Sequence, residues 1–100
     1  RLFRNHEKHI DAIRLLVLVQ FRYDGEPRTA EPYCFGISSQ GNRVLRAYQT
    51  AGGSAVSGQL GWKLFDESKI VGLQLTDTHF DPRPEYNPAD KGMTKILCRV

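Results

Sequence analysis

From Val17 onward, apolar and polar residues alternate with the period of a strand, and glycine-centred turns cut the alternation at short intervals. Val17, Val19, Phe21 and Tyr23 alternate with Leu18, Gln20 and Arg22. Successive strand side chains point to opposite faces, so this spacing predicts a strand with one apolar face. Asp24-Gly25 follows, a strong hairpin turn signal because glycine tolerates positive φ. A second strand is expected from about Arg28 to Ser38, with Tyr33, Phe35 and Ile37 on one face. Pro32 has no amide hydrogen, so this strand must be an edge there or bulge there. Gln40-Gly41-Asn42 makes the next turn, and a strand from Arg43 to Thr50 follows. A strand from Leu60 to Asp66 places Leu60, Trp62 and Leu64 on one face and Lys63 and Phe65 on the other, which predicts Trp62 in the core. Val71, Leu73 and Leu75 mark a further strand after a helical turn at 67–70, and these three are expected in the core before an interface.

The period differs before Val17. Ile10, Ile13 and Leu16 fall at helical spacing, which predicts a helix over 5–16 capped by the Asn5 side chain. After the strands, 77–93 carries Pro82, Pro84 and Pro88 among acidic residues and reads as an extended surface arm. Residues 94–100 are β-branched and apolar, fitting a last strand or the stub of a longer C-terminal region. Ala51 to Gly58, rich in glycine, serine and alanine, reads as a flexible loop. Short antiparallel strands with tight turns and few helices predict a mainly β chain built as a small barrel.

One hundred residues make one domain, 1–100, with barrel strands over 17–76. The net charge of +3 is a mild bias toward polyanions and too weak for a dedicated duplex-DNA binder unless it is concentrated in a patch. Cys34 and Cys98 lie far apart without metal-ligand spacing and are expected as reduced, partly buried thiols in a cytoplasmic protein. The longest apolar run, Leu15 to Val19, is too short for a signal peptide or a membrane span. The chain begins with Arg1 rather than Met, so it is expected to be a fragment or processed form preceded by other residues.

An ordered set of motifs now stands out. Asp11-Ala12-Ile13 lies in the helix, Phe21-Arg22-Tyr23 ends the first strand, and Arg28-Thr29-Ala30-Glu31-Pro32-Tyr33 opens the second. Gly41 leads into Val44-Leu45-Arg46-Ala47-Tyr48, and Lys63-Leu64-Phe65 precedes Lys69-Ile70. In this order the motifs resemble the WYL domain of bacterial and phage-related regulators, over about Ile10 to Phe80. The sequence departs from that pattern where the Trp-Tyr-Leu tripeptide stands as Arg43-Val44-Leu45, and where Lys63 and Lys69 hold positions often occupied by arginine. Arginine and lysine hold anions differently. The resemblance implies a strongly bent, five-stranded sheet of SH3-like or Sm-like barrel type, with the N-terminal helix over one opening. It implies a ligand-sensing module behind a DNA-binding domain, in the same or a partner chain, binding single-stranded nucleic acid or a nucleotide-like anion. Dimers are also expected from it.

The candidate ligand-binding residues are Arg46, Tyr48, Lys63, Lys69 and Arg28, with Tyr23 and Trp62 nearby in the pattern. Arginine presents a planar fork of donors that matches phosphate. An aromatic face lets an unstacked base lie flat, worth about 1–3 kcal/mol per base. Arg46 and Tyr48 are two apart on one strand and so share a face. Other chemistry has thin support. Gly52 to Gly58 lacks the Gly-Lys-Ser/Thr ending of a phosphate-cradling loop. His6 and His9 have no third ligand for zinc and read as exposed helix positions, and His79 reads as part of a turn. Asp77, Asp81, Glu85 and Asp90 read as solvated loop charges, and Ser54 and Ser57 have no histidine partner. No catalytic residue, metal site or cofactor is therefore expected. The alternative to a sensor is a protein-interaction adaptor that uses an edge strand or groove of the barrel, shaped by Pro32 and the proline-rich arm. Convergence of Arg46, Lys63 and Lys69 on one face would favour the anion reading; scatter beside an exposed apolar groove would favour the adaptor.

Overall fold

The computed structural model describes residues 5–53 and 60–100, with side chains from Glu7 onward in those ranges. The side chains of Asn5, the expected cap, and of His6 lie outside those described, as do residues 54–58 of the glycine-rich loop. Helix α1 covers Asn5–Leu15, followed by strands β1 Val17–Tyr23, β2 Glu26–Ile37, β3 Arg43–Gly52 and β4 Gly61–Asp66. A single 3-10 turn at Glu67–Lys69 leads to β5 Val71–His79, and β6 Lys95–Arg99 closes the order. Among the described residues no helix is long and apolar enough to cross a membrane.

The strands form one antiparallel sheet in the order β4-β3-β2-β1-β5, with β6 also paired to β2. The chain is thus mainly β with one N-terminal helix, but it has six strands where five were expected, and the sheet does not close into a barrel. It curls all the same. Phe65 on β4 meets Phe21 and Tyr23 on β1 edge-on, with ring centroids 5.0 and 4.9 Å apart. The Asp66 amide donates to the Tyr23 hydroxyl at 3.0 Å, tying the end of β4 to the end of β1.

Most of the turns follow directly from the sequence. Asp24 and Gly25 take φ of 52° and 76°, the two positive values of a type I′ hairpin, whose twist matches that of the flanking strands. Helix α1 stops because Leu16 adopts a left-handed φ of 56°, and the Phe80 amide then bonds the Leu16 carbonyl at 2.9 Å. Gly72, at φ 66°, sits in a register break between β5 and β1 that reverses the facing of its neighbours. Leu73 is therefore buried, Leu75 partly so, and Val71 is 62% exposed rather than core.

Pro32 marks the main irregularity of β2. The pairing of β1 with β2 ends at Val19–Ala30, and that of β6 with β2 begins beyond Tyr33. Strand β2 therefore changes neighbours on one side at the residue that has no amide to donate. On the other side the register to β3 slips between Pro32 and Cys34, so Tyr33 is an extra, bulged residue. The bulge separates Tyr33 from Phe35, which were expected to share a face. Phe35 enters the main core with Phe21, Leu45, Ala47 and Phe65, whereas Tyr33 and Cys34 both face the opposite side. Burying side chains of this size contributes roughly 1.5–3 kcal/mol each.

Helix α1 covers the concave side of the sheet, packing on β1, β2, β5 and β6. His9, Ala12 and Ile13 are its most buried residues, while Ile10 is only partly buried. His9 is thus core rather than exposed; its ring stacks on Phe35 at 4.8 Å and 17°. His79 lies on β5 rather than in a turn. The arm begins at Phe80, later than its acidic composition implied, because β5 continues to His79. Both cysteines are free, with Cys34 buried. Lys95–Arg99 is a paired strand, β6, held close to β2 at Gly36. A Cβ at Gly36 would collide with the Lys95 carbonyl and with Met93 Sδ. Gly36→Ala should therefore cost about 1–3 kcal/mol through overpacking. A urea midpoint equal to wild type would mean that β6 is not held at this spacing.

Candidate functional site

The face of the sheet opposite α1 is where the arm folds back. Glu31 on β2 pairs with Tyr48 on β3, which pairs in turn with Trp62 on β4, so the three side chains form a row across the sheet. Arg46 lies beside this row, two residues before Tyr48. Trp62 meets Tyr48 edge-on at 5.3 Å and Tyr33 at 4.7 Å, so it belongs to this outer aromatic group and not to the main core. The arm adds Phe80 and Tyr86, both packed against Tyr33.

Two ion pairs pin the arm down. Arg83 bonds both carboxylate oxygens of Glu31, at 2.9 and 3.1 Å, and its guanidinium lies 3.6 Å from the centre of the Tyr48 ring. The Arg83 amide donates to the Tyr33 hydroxyl, which donates to Glu31 at 2.8 Å. Arg46 donates through Nε and Nη2 to the two oxygens of Asp90, at 2.7 and 3.1 Å. The Gly92 amide also donates to Asp90. These bonds hold the Asp90 carboxyl below the usual carboxylate range, the Arg46 guanidinium being the main cause. Asp90 is 8% exposed and so is not the solvated loop charge its neighbours suggested. Burial is the main reason that the Tyr33 and Tyr86 hydroxyls stay protonated well above their ordinary range. It also pushes the Cys34 thiol up to about 11, which leaves little thiolate at neutral pH.

Between the arm and the β3–β4 face lies a cavity of about 290 Å³. Arg46, Trp62 and Tyr86 line it, with Glu85, Asn87 and Lys91 around them. Trp62 and Tyr86 present nearly parallel rings, 22° apart in plane with centroids 6.2 Å apart.

The sequence-predicted residues are only partly brought together. Arg46 and Tyr48 share the outer face, as their spacing required. Lys63 stands opposite Ala47, a core residue, so it projects from the other side of the sheet. Lys69 is exposed in the 3-10 turn after β4. Arg28 is 4% exposed and lies on the inner side, 5.1 Å from the Tyr23 ring centre and 5.7 Å from that of Phe65. Its guanidinium donates to the Tyr23 carbonyl and to Gln49, which makes it a structural cation at the sheet's inner edge. Arg83, Tyr86, Asn87 and Lys91 were not among the candidates, Trp62 stood beside the candidates only as a core residue, and Asp90 was read as a solvated charge. Their signal was the mixture of Phe80, Tyr86 and Met93 with prolines, since an arm that only met solvent would have no use for those apolar groups. Among the described residues no three His, Cys, Asp or Glu side chains gather as a metal site.

No protein-family model matches this chain, and neither does any curated protein sequence or solved structure.

The Arg46–Asp90 pair has a testable acid dependence. A carboxylate whose folded-state pKa is depressed stabilises the fold above its unfolded value, near 3.9, and loses that contribution as the pH falls through the folded value. Asp90→Asn should cost about 1.5–3 kcal/mol at pH 7, the usual worth of hydrogen bonds to a charged group. In urea denaturation the gap to wild type should narrow at pH 3 and below. A gap of the same size at both pH values would mean that the charge of Asp90 contributes nothing.

Proposed function

We propose that this chain is a non-catalytic, ligand-sensing regulatory module whose ligand is single-stranded nucleic acid or a nucleotide-like anion. The observation that carries the reading is the outer face itself, where aromatic rings and guanidinium groups gather beneath a strap. Trp62 and Tyr86 offer aromatic surface at the cavity, with the Arg46 guanidinium and Lys91 beside them. Stacking with cationic support is the general means of holding unpaired bases. The resemblance to WYL domains points the same way, and so does the mild positive charge. The buried, protonated Cys34 is a poor nucleophile, which fits binding better than chemistry. In this reading, ligand that engages the arm changes how the module acts on an attached or partner DNA-binding domain, in transcription regulation.

The adaptor is favoured by a separate observation. Arg46, Lys63 and Lys69 scatter rather than converge, and strand β4 forms one edge of the sheet, with Leu60 53% exposed and Leu64 38% exposed. An unpaired edge beside apolar side chains can accept an added strand. Partner binding there, or pairing of two copies, would leave the arm in place.

Fluorescence anisotropy of a labelled short single-stranded DNA separates these readings. With Arg46 already paired to Asp90, Lys91 is the cation at this face left to meet a phosphate, which predicts a shallow salt slope of about −1 on a log–log plot. Salt-sensitive binding at micromolar concentration or tighter, weakened by Arg46→Ala, supports the sensor. No binding of the strand or of any nucleotide, even at low salt, would leave the adaptor as the better account.

A further inference from the structure

The cavity beneath the arm has a layout that suits one class of small molecule. Its volume of about 290 Å³ sits at the lower end of ordinary ligand pockets, roughly 300–1,000 Å³. That is room for one base with its sugar and phosphate, and not for a run of nucleotides. One wall is aromatic, formed by Trp62 and Tyr86. Asn87 stands beside it, and its Oδ1 accepts the Ala89 amide, which leaves the side-chain NH₂ as a donor. Arg46 is held rigid because Nε and Nη2 are engaged by Asp90, while Nη1 donates to no described residue. Asp90 spends its charge on Arg46, so Lys91 is the cation left to attract a ligand. Glu85, exposed on the same rim, is the group that at first argues against an anion. A carboxylate at that place is nonetheless the usual acceptor for ribose hydroxyls, as in dinucleotide sites.

We propose that this cavity is a binding site for a free ribonucleoside monophosphate. The base lies against the Trp62–Tyr86 wall with Asn87 at its edge, Glu85 accepts the ribose hydroxyls, and the phosphate sits between Lys91 and Nη1 of Arg46. The assignment rests on the sensing role proposed above and narrows it from a strand across the sheet to a single nucleotide under the arm. It also gives the arm a part in recognition, since Glu85, Tyr86, Asn87 and Lys91 all come from it.

Trp62 is the only tryptophan in the chain, so intrinsic fluorescence reports on the cavity directly. The chain is titrated with AMP, GMP, CMP and UMP, then with adenosine, ribose 5-phosphate and dAMP. Saturable quenching by at least one ribonucleotide is expected. Lys91→Ala, at an exposed position, should weaken that ribonucleotide about tenfold and leave adenosine unchanged. Glu85→Gln should weaken AMP more than dAMP, which lacks the 2′-hydroxyl. Quenching that Lys91→Ala does not alter would overturn the assignment, as would a titration with no quenching by any monophosphate. If labelled single-stranded DNA binds but no monophosphate competes with it, the sensing role stands and the cavity assignment fails. If neither strand nor nucleotide binds, both fail.

Discussion

The change of neighbours along β2 at Pro32 is the constraint on which the rest of the molecule depends. Strand β2 pairs with β1 before this residue and with β6 after it, and β3 runs along its other side throughout. A proline in mid-strand would ordinarily leave a carbonyl on a neighbouring strand without its donor. Here it falls where no neighbour asks for that donor. The bulge that accompanies it then turns Tyr33 and Cys34 to the outer face and returns Phe35 to the inner one. Without the extra residue, Phe35 would fall on the outer face with Tyr33 instead of entering the core.

Tyr33 is consequently where the two halves of the structure meet. Its ring packs against Trp62 of β4 and against Phe80 and Tyr86 of the arm. Its hydroxyl lies between Glu31 and the Arg83 backbone, and its carbonyl accepts from Val100. A buried phenol needs its hydroxyl paired, and the arm supplies part of that pairing. The arm is therefore not a loose tail over the sheet. Two bidentate ion pairs and an aromatic cluster fix its course, and the cavity is the space it leaves above Arg46 and Trp62. A proline-rich segment suits this task, because proline lowers the conformational freedom lost when the arm is laid down.

Much of the fold was legible in the sequence. The alternation through Val17, Val19, Phe21 and Tyr23 and the Asp24-Gly25 turn place β1 and its hairpin to the residue. The turn at 40–42 and the strand from Arg43 follow the same logic. Closure of the sheet was not legible, because β6 takes up the free side of β2 and the two ends of the sheet, β4 and β5, never pair. The candidate site was half legible. Arg46 and Tyr48 share a face because strand geometry demands it, yet Arg28 and Lys63 sit on the inner side, and strand period alone does not say which face is inner. Trp62 was misplaced for a related reason: Leu60 and Leu64 beside it are exposed rather than core, so the apolar character of a β4 face did not mark it as buried.

The sequence by itself determined the local structure: which segments are strands, where the hairpin turns, and where the helix gives way to β1. Those features depend on backbone sterics and on periodicity, both of which act between near neighbours in the chain. Only the tertiary structure decided that Asp90 meets Arg46, that Arg83 covers Tyr48, and that His9 is buried against Phe35. Residues as far apart as 46 and 90 are brought together by the return of the chain along β2 and β6, and no local pattern encodes that approach. The charges of the arm looked like solvated loop residues for the same reason. Whether a carboxylate faces water or a guanidinium is settled by what folds over it.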